Sequence, residues 1–405
     1  MKPIVRAGRM KPVHSDIRGP LFVEAMKRQK QGIDILKLNT GNPATFGFGL
    51  PDSIKNALIE HMQDGVGYCD FKGMPQARQA ICDYETSKGI KGITSDDVFI
   101  GNGVSEVVSF ALTPLLNDGD EVLVPSPSYS LWGNSVYLED GKPVFYTCDE
   151  QANWYPDIQD IRSKITDKTK AIVIINPNNP TGVLYPKELL LEIIQIAREF
   201  GLLIFADEIY DRLVMDGKQH ISLASLTEDV PVITLNGLSK SHCLCGYRCG
   251  WMVISGPREL TEDYRQGIIQ LTSLRLCANT MAQIVIPAAL DDMETPASMV
   301  RPGGRIYEQR EATVRELEKI NGLSFVKNDA AFYVFPKLDV KKFNITNDKQ
   351  FAHDLLDATN ILLVPGSGFD WKDPDHFRIV MLPQADILSD AIRRMGTFLD
   401  GYKQK

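Results

Sequence analysis

A chain of 405 residues, 43% hydrophobic and 24% charged, has the composition of a soluble globular protein long enough for more than one domain. Its formal net charge of −8, with no Lys/Arg run, excludes nucleic acid as the main partner, because a phosphate backbone selects a basic face. Seven cysteines read as reduced thiols rather than a disulfide framework, and no charge-free apolar run reaches the length of a membrane span.

The opening "MKPIVRAGRMKPVHSDIRGP" is basic but leads into no uninterrupted apolar stretch, so the cytoplasm is the expected location. Residues 1–16 read as an arm. Residues 17–48 are expected to join 296–405 in a smaller α+β domain, and 49–295 to form the large domain. Between about residues 95 and 255, short Val/Ile-rich runs alternate with helical patterns: "DEVLVPSPSYS", "AIVIINPNNPTG", "LLIFADEIYD", "VITLNGLSK" and "GWMVIS". Near-continuous apolar runs of this kind suit strands buried on both faces of a mostly parallel sheet, so the large domain is α/β and doubly wound. The helix expected in "PKELLLEIIQIAREFG" stops at Gly201. Past residue 300 a long amphipathic helix in "IYEQREATVRELEKI", a hairpin-like "LSFVKNDAAFYVFPKL", a helix near "KQFAHDLLDATN", the strands "ILLVPGSGF" and "HFRIVMLP" and a last helix complete the smaller domain.

A polar residue closes each apolar run: Tyr129, Asn179, Asp207 and Lys240. Ligands of open α/β sheets bind at the carboxyl ends of the strands, so these side chains are expected to converge. Lys240, in the Gly/Ser turn "NGLSKS", is the focus. A lysine is protonated at neutral pH and becomes a nucleophile or base only when desolvated or joined to a carbonyl, which points to a carbonyl cofactor such as pyridoxal phosphate.

Such a cofactor needs a carboxylate for its ring nitrogen, a partner for its ring oxygen, an aromatic face and a phosphate cup. Asp207 offers the carboxylate, although alone it also reads as a helix N-cap before "EIYDRL". Asn179 and Tyr210 are candidates for the ring oxygen and Tyr129 for the ring face. In "GNGVSE" the N–H groups of Val104 and Ser105 would meet a phosphate at a helix N-terminus, joined by Arg248. The stretch lacks the third glycine of the dinucleotide fingerprint. Cys243, Cys245 and Cys249 have no structural-zinc spacing, the six histidines form no HxxxH pair, and no metal is expected.

The segments "NTGNP", "GYCDFKG", "NPNNPTG", "ADEIY", "LSKSHCLCGYRCGW" and "FRIV" together resemble fold type I pyridoxal-phosphate-dependent aminotransferases of class I/II, along nearly the whole chain. "DIRGP", "GYCDFKG", "IGNGVSE" and "RLCAN" are most similar to the bacterial alanine aminotransferases. The resemblance implies a large domain on a mostly parallel, seven-stranded-type sheet, Lys240 as the lysine that carries the cofactor and shuttles the substrate proton, and Arg378 as the ligand of the substrate α-carboxylate. It implies help to Arg378 from Asn179 and the backbone of Gly41. It also implies a homodimer in which Tyr68 reaches the neighbouring subunit's phosphate site.

Some relatives have a serine three residues before the lysine where this chain has Gly237, so Ser239 is the remaining serine candidate for the phosphate. Glutamate as second substrate requires a cation for its distal carboxylate, with Arg18 and Arg275 as candidates. The expected activity is ping-pong amino transfer between alanine/pyruvate and 2-oxoglutarate/glutamate. A transaminase of aromatic, valine or methionine preference, or a carbon–sulfur lyase, would share the cofactor residues.

Overall fold

In the computed structural model, which describes residues 2–405, the apolar runs form the centre of an eight-stranded sheet. Its strands are β1 (Val98–Gly101), β2 (Glu121–Ser126), β3 (Lys142–Asp149), β4 (Tyr155–Pro156), β5 (Thr169–Ile175), β6 (Leu203–Asp207), β7 (Val232–Gly237) and β8 (Gly250–Ser255). They lie in the order β1-β8-β7-β6-β5-β2-β3-β4. Strands β7, β6, β5, β2 and β3 run parallel, and β8 is antiparallel to β1 and β7. The link from β7 to β8 carries short helical turns and no full crossover helix, so the chain returns in the opposite direction. The eighth strand, β4, is a two-residue antiparallel edge to β3, too brief to register in the apolar pattern and so absent from a seven-stranded expectation.

Both faces of the sheet are buried, as the Val/Ile runs require. Leu123, Ile172, Ile174 and Ile204 face one core, into which α3 (Lys187–Phe200) sends Leu190, Ile193, Ile194 and Ala197, while Val122, Val124, Val173 and Phe205 face the other with Val107, Val108 and Ala111 of α2 (Val104–Leu112). Each such side chain contributes about 1.5–3 kcal/mol on burial, so the two cores fix the strand ends against which a ligand would rest. Helix α3 stops at Gly201, whose φ of 66° is left-handed, as expected of a glycine helix stop. Helix α1 (Pro75–Ser87) packs Ala77 and Ile81 beside Val98, Ile100, Trp251 and Val253.

The C-terminal part centres on a three-stranded antiparallel sheet of β9 (Tyr333–Val334), β10 (Val364–Pro365) and β11 (Phe377–Val380), with β11 in the middle. Leu36–Lys37 pairs in parallel with Ile361–Leu362, and the N–H of Val380 donates to the carbonyl of Leu38 at 3.1 Å. This pairing carries Asn39 and Gly41 alongside β11 and towards the carboxyl edge of the large sheet. Among the described residues no single helix is long and apolar enough to cross a membrane.

Candidate active site

Three glycines stand abreast at one edge of the large sheet: Gly101 of β1 pairs with Gly250 of β8, which pairs with Gly237 of β7. A Cβ on Gly250 would lie 2.4 Å from the Val104 nitrogen and one on Gly101 2.5 Å from Val107, so both must stay bare for α2 to settle on the sheet, while one on Gly237 would lie 2.6 Å from the Cys249 carbonyl oxygen beside β8. Gly103 enters α2 at φ 82°, and a Cβ there would meet the Arg248 Nη2 at 2.3 Å. The guanidinium of Arg248 therefore lies over the helix start, where the first N–H groups, those of Val104 and Ser105, have no intrahelical acceptor. Arg248 is exposed and, among the described residues, donates only to the Cys245 carbonyl, at 3.0 Å. A cation and a helix N-terminus facing one space make a place for an anion.

Asp207 ends β6 and is 5% exposed. No helix follows it, so the N-cap reading fails. Its Oδ2 accepts from the indole N–H of Trp132 at 3.1 Å, and Trp132, itself buried, is fixed against Phe205 with ring centroids 5.4 Å apart. Burial pushes the Asp207 carboxyl up to about 6, against the opposing pull of the Trp132 N–H. No cation pairs with this carboxylate among the described residues, so its charge awaits a partner on the pocket side.

Lys240 lies in the short helix that starts after Gly237, and its Nζ donates to the Gly41 carbonyl at 3.0 Å. Burial works against its ammonium, yet the neighbouring Tyr333, Cys245 and Tyr129 leave its pKa above the ordinary lysine value. Arg378, 1% exposed on β11, donates to the Asn179 Oδ1 at 3.0 Å and to the Asn39 carbonyl, while its Nε has no partner. Its guanidinium lies 4.5 Å over the Tyr333 ring and 4.6 Å over the Phe369 ring. Burial lowers its pKa, because aromatic faces and amide oxygens only partly replace water around a cation. A buried guanidinium without a carboxylate partner is a receptor for one.

Lys240, Gly41, Asn179, Arg378, Tyr210 and Tyr129 thus gather around one space, and Tyr333 joins them. The Tyr210 hydroxyl donates to that of Tyr333 at 3.0 Å, and a Cβ on Gly41 would lie 2.2 Å from the same Tyr333 oxygen. Sequence reasoning missed Tyr333, Trp132 and Asn39. Trp132 had a signal, since "SYSLW" places it three residues after Tyr129. Ser239 is half-buried just before Lys240, its carbonyl accepting from the Cys245 thiol at 2.9 Å.

Three candidates lie elsewhere. Tyr68 is 83% exposed. Arg18 is exposed and makes no ion pair among the described residues. Arg275 is corrected: its Nη1 lies 2.6 Å from the Glu106 carboxylate, and its Nη2 donates to the Phe71 and Ile100 carbonyls at 3.0 and 3.2 Å. Glu106 also accepts from the Asn102 N–H at 2.7 Å, so Arg275 neutralises a carboxylate at the start of α2 and is not available for a substrate.

The sequence pattern of the family described as Aminotransferase class I and II matches residues 33–392. The chain is 50% identical over 404 residues to the glutamate-pyruvate aminotransferase AlaA of Haemophilus influenzae, covering 100% of both chains. A solved aminotransferase structure from Escherichia coli superposes with a TM-score of 0.98 at 47% identity over 100% of both chains. An alanine aminotransferase from Pyrococcus furiosus does so with 0.93 at 40% identity, over 98% of this chain and 100% of that one. With the lysine, aspartate and arginine of the pocket joined to a sequence match over most of its length, this chain belongs to the class I and II aminotransferases.

Proposed function

We propose that this transaminase exchanges the amino group between L-alanine/pyruvate and L-glutamate/2-oxoglutarate, with pyridoxal phosphate as cofactor, in the cytoplasm. The observation that carries the reading is a set of charges with no ion partner among the described residues: the Asp207 carboxylate and the Arg378 guanidinium, which both act on Tyr210, and the Lys240 amine, which lies near Arg378 and Tyr333. Pyridoxal phosphate fits that set. Asp207 would hold its ring nitrogen, Tyr210 and Asn179 its ring oxygen, Tyr129 its face, and Val104, Ser105 and Arg248 its phosphate, with Ser239 nearby. The alanine and glutamate preference is supported by the names of relatives such as the Haemophilus influenzae protein.

When bound, the cofactor supplies a carbonyl for amine exchange and a protonated ring that delocalises the electron pair left at the substrate Cα. Arg378 grips the substrate α-carboxylate through paired N–H groups, and the buried rings of Tyr333 and Phe369 hold the guanidinium in place. Lys240 would hold the cofactor's carbonyl in the resting protein and, as a free amine, would move the proton of the substrate Cα. Asp207, whose carboxylate accepts from Trp132, itself packed on Phe205, would pair with the cofactor's protonated ring nitrogen. The same residues run the second half-reaction with the second keto acid.

For glutamate, Arg18 is the cation we assign to the distal carboxylate. The carbonyl of its neighbour Ile17 accepts from the Asn39 side chain at 2.8 Å, and the Asn39 carbonyl in turn receives Arg378, so the backbone beside Arg18 is linked by two hydrogen bonds to the α-carboxylate site, although the exposed Arg18 side chain itself touches none of the pocket residues. Arg18→Leu is expected to raise the KM for glutamate and 2-oxoglutarate about tenfold while moving that for alanine less than about twofold, the worth of one charge-assisted contact. Equal effects on both pairs in steady-state kinetics would remove Arg18 from this role.

We also propose a division into domains at about residues 49 and 295, and a homodimer that completes each site with the partner's Tyr68. The Tyr68 loop is pinned to the next segment by Thr280 on the Gly65 carbonyl at 2.8 Å and by Arg275 on that of Phe71, which leaves Val66, Tyr68, Leu274 and Leu276 exposed.

The test is the near-ultraviolet and visible spectrum of the cofactor-loaded protein. L-alanine should shift the cofactor band, and pyruvate or 2-oxoglutarate should each restore it. A loaded protein that ignores alanine would overturn the donor assignment.

A further inference from the structure

On the far side of the turn that carries Asp207 and Tyr210 lies a buried charge cluster the reaction does not use. Lys88 caps the C-terminal end of α1, a favourable place for a cation. Its ammonium sits 2.7 Å from Glu85 Oε2, 2.7 Å from Glu208 Oε2 and 3.1 Å from Asp211 Oδ2. The three carboxylates are at most 3% exposed and Lys88 is 13% exposed.

Each carboxylate is tied to a different part of the surrounding fold. Glu208 accepts from the Ser222 hydroxyl at 2.9 Å and the Leu223 N–H at 3.0 Å. Asp211 accepts from the Tyr84 hydroxyl at 2.5 Å and from the Asn236 side chain at 2.7 Å. Asn236 also takes the Gly237 N–H at 2.7 Å, directly before the helix of Lys240. Glu85 accepts from the Trp251 indole at 3.1 Å.

The turn therefore has two faces. Asp207 and Tyr210 project into the pocket, and their chain neighbours Glu208 and Asp211 are drawn the other way onto one ammonium.

We propose that Lys88 is a positioning residue, whose buried charge sets the turn of Asp207 and Tyr210, and through Asn236 the entry to Lys240, in the geometry that receives the cofactor. The inference rests on the pyridoxal phosphate reading above. Without Lys88, like charges crowded in a dry site repel one another and the turn loses its anchor.

His220 supplies a distinguishing signature. Its Nε2 lies 3.1 Å from the Asn176 carbonyl and 3.9 Å from Glu208. Burial holds it neutral, with Lys88 adding to that effect and Glu208 and Asp211 opposing it. The other groups facing the cluster are Tyr84, Arg212, whose guanidinium lies 4.3 Å over the Tyr84 ring, and His242, which burial and Arg212 push down to about 4 against the pull of Asp211. Once Lys88 is removed, His220 is the group placed to take up a proton and restore a cation beside Glu208, while Glu85, whose carboxyl burial already pushes up and Lys88 holds down, takes up a proton as well and lowers the repulsion.

The test compares wild type with Lys88→Met, Lys88→Met/His220→Gln and the charge-compensated Glu85→Gln/Lys88→Met. Two readouts are used: the Kd of the cofactor-free protein for pyridoxal phosphate, and amide hydrogen exchange over residues 207–212 without cofactor. At about pH 8, Lys88→Met should bind about tenfold more weakly than wild type and exchange faster over the turn, and at about pH 6 the ratio of the two Kd values should narrow to about threefold. Adding His220→Gln should reduce that recovery, leaving only the part that comes from protonation of Glu85.

A folded Lys88→Met protein with wild-type Kd and exchange would overturn the proposal, as would a loss that does not change with pH. If Lys88→Met does not fold, Glu85→Gln/Lys88→Met decides: about tenfold weaker binding supports the role, and wild-type binding ends it. A wild-type protein that takes up no pyridoxal phosphate would defeat the functional reading, and the exchange comparison would still decide whether Lys88 holds the turn.

Discussion

Lys240→Ala should lower kcat by about 10⁴-fold or more, because a positioned acid/base is lost together with the amine that holds the cofactor's carbonyl. The loss should fall on kcat and not on substrate capture. Arg378 and its supports Asn179 and Asn39 make no direct contact with the Lys240 amine, whose hydrogen bond goes to Gly41. Single-turnover kinetics should therefore show slow chemistry with amino-acid affinity within about threefold of wild type. Borohydride reduction should fix the cofactor covalently to the wild-type chain, visible as added mass on the Lys240 peptide, and leave the variant unmodified. A variant retaining more than about a tenth of wild-type kcat would mean that another group moves the proton, and the Tyr333 hydroxyl next to Gly41 would be the first to examine.

That one lysine could be singled out reflects how doubly wound sheets advertise their sites. The apolar runs end where the strands end, so Asn179, Asp207 and Lys240 were legible as a set before any geometry was known. The glycine stop of α3 was legible for a similarly local reason, since its left-handed backbone favours glycine.

What the sequence hid was long-range. Arg378 was legible through the family resemblance and not through its local pattern, since "HFRIV" does not tell that β11 is the central strand of its sheet or that the side chain is buried between two rings. Tyr333 sits in a run of apolar residues whose alternation breaks at Ala331, at φ 60°, so the strand pattern does not say which way its hydroxyl points. Lys88, in "ETSKG", looks like the surface lysine that commonly ends a helix. Its three acidic partners come from sequence positions as far as 123 residues away, and only the packing of α1 on the sheet joins them. Arg275 failed as a substrate cation for the same reason, its partner Glu106 lying 169 residues earlier.

Asp207→Asn should separate stability from catalysis, and in opposite directions. The Asp207 carboxyl is at about 6 in the folded protein, against the ordinary aspartate value of about 4. A folded pKa above the unfolded one means that the native state holds a proton the unfolded state has released. Between about pH 4 and pH 6 the native protein therefore loses stability as pH rises, and above that window the cost is complete, about 3 kcal/mol for two pKa units.

An asparagine keeps an oxygen for the Trp132 N–H and carries no charge. Cofactor-free Asp207→Asn should thus melt about 3 °C above cofactor-free wild type at pH 8, and the gain should vanish near pH 4. Turnover should fall by about 10²–10³, the loss of one preorganised charge facing the reacting system, and pyridoxal phosphate should bind more weakly. Calorimetry at the two pH values, beside a titration of cofactor, reads both arms. A variant less stable than wild type at pH 8 would show that the buried carboxylate is already neutralised within the chain, and the case for a cationic ring beside it would fall with that result.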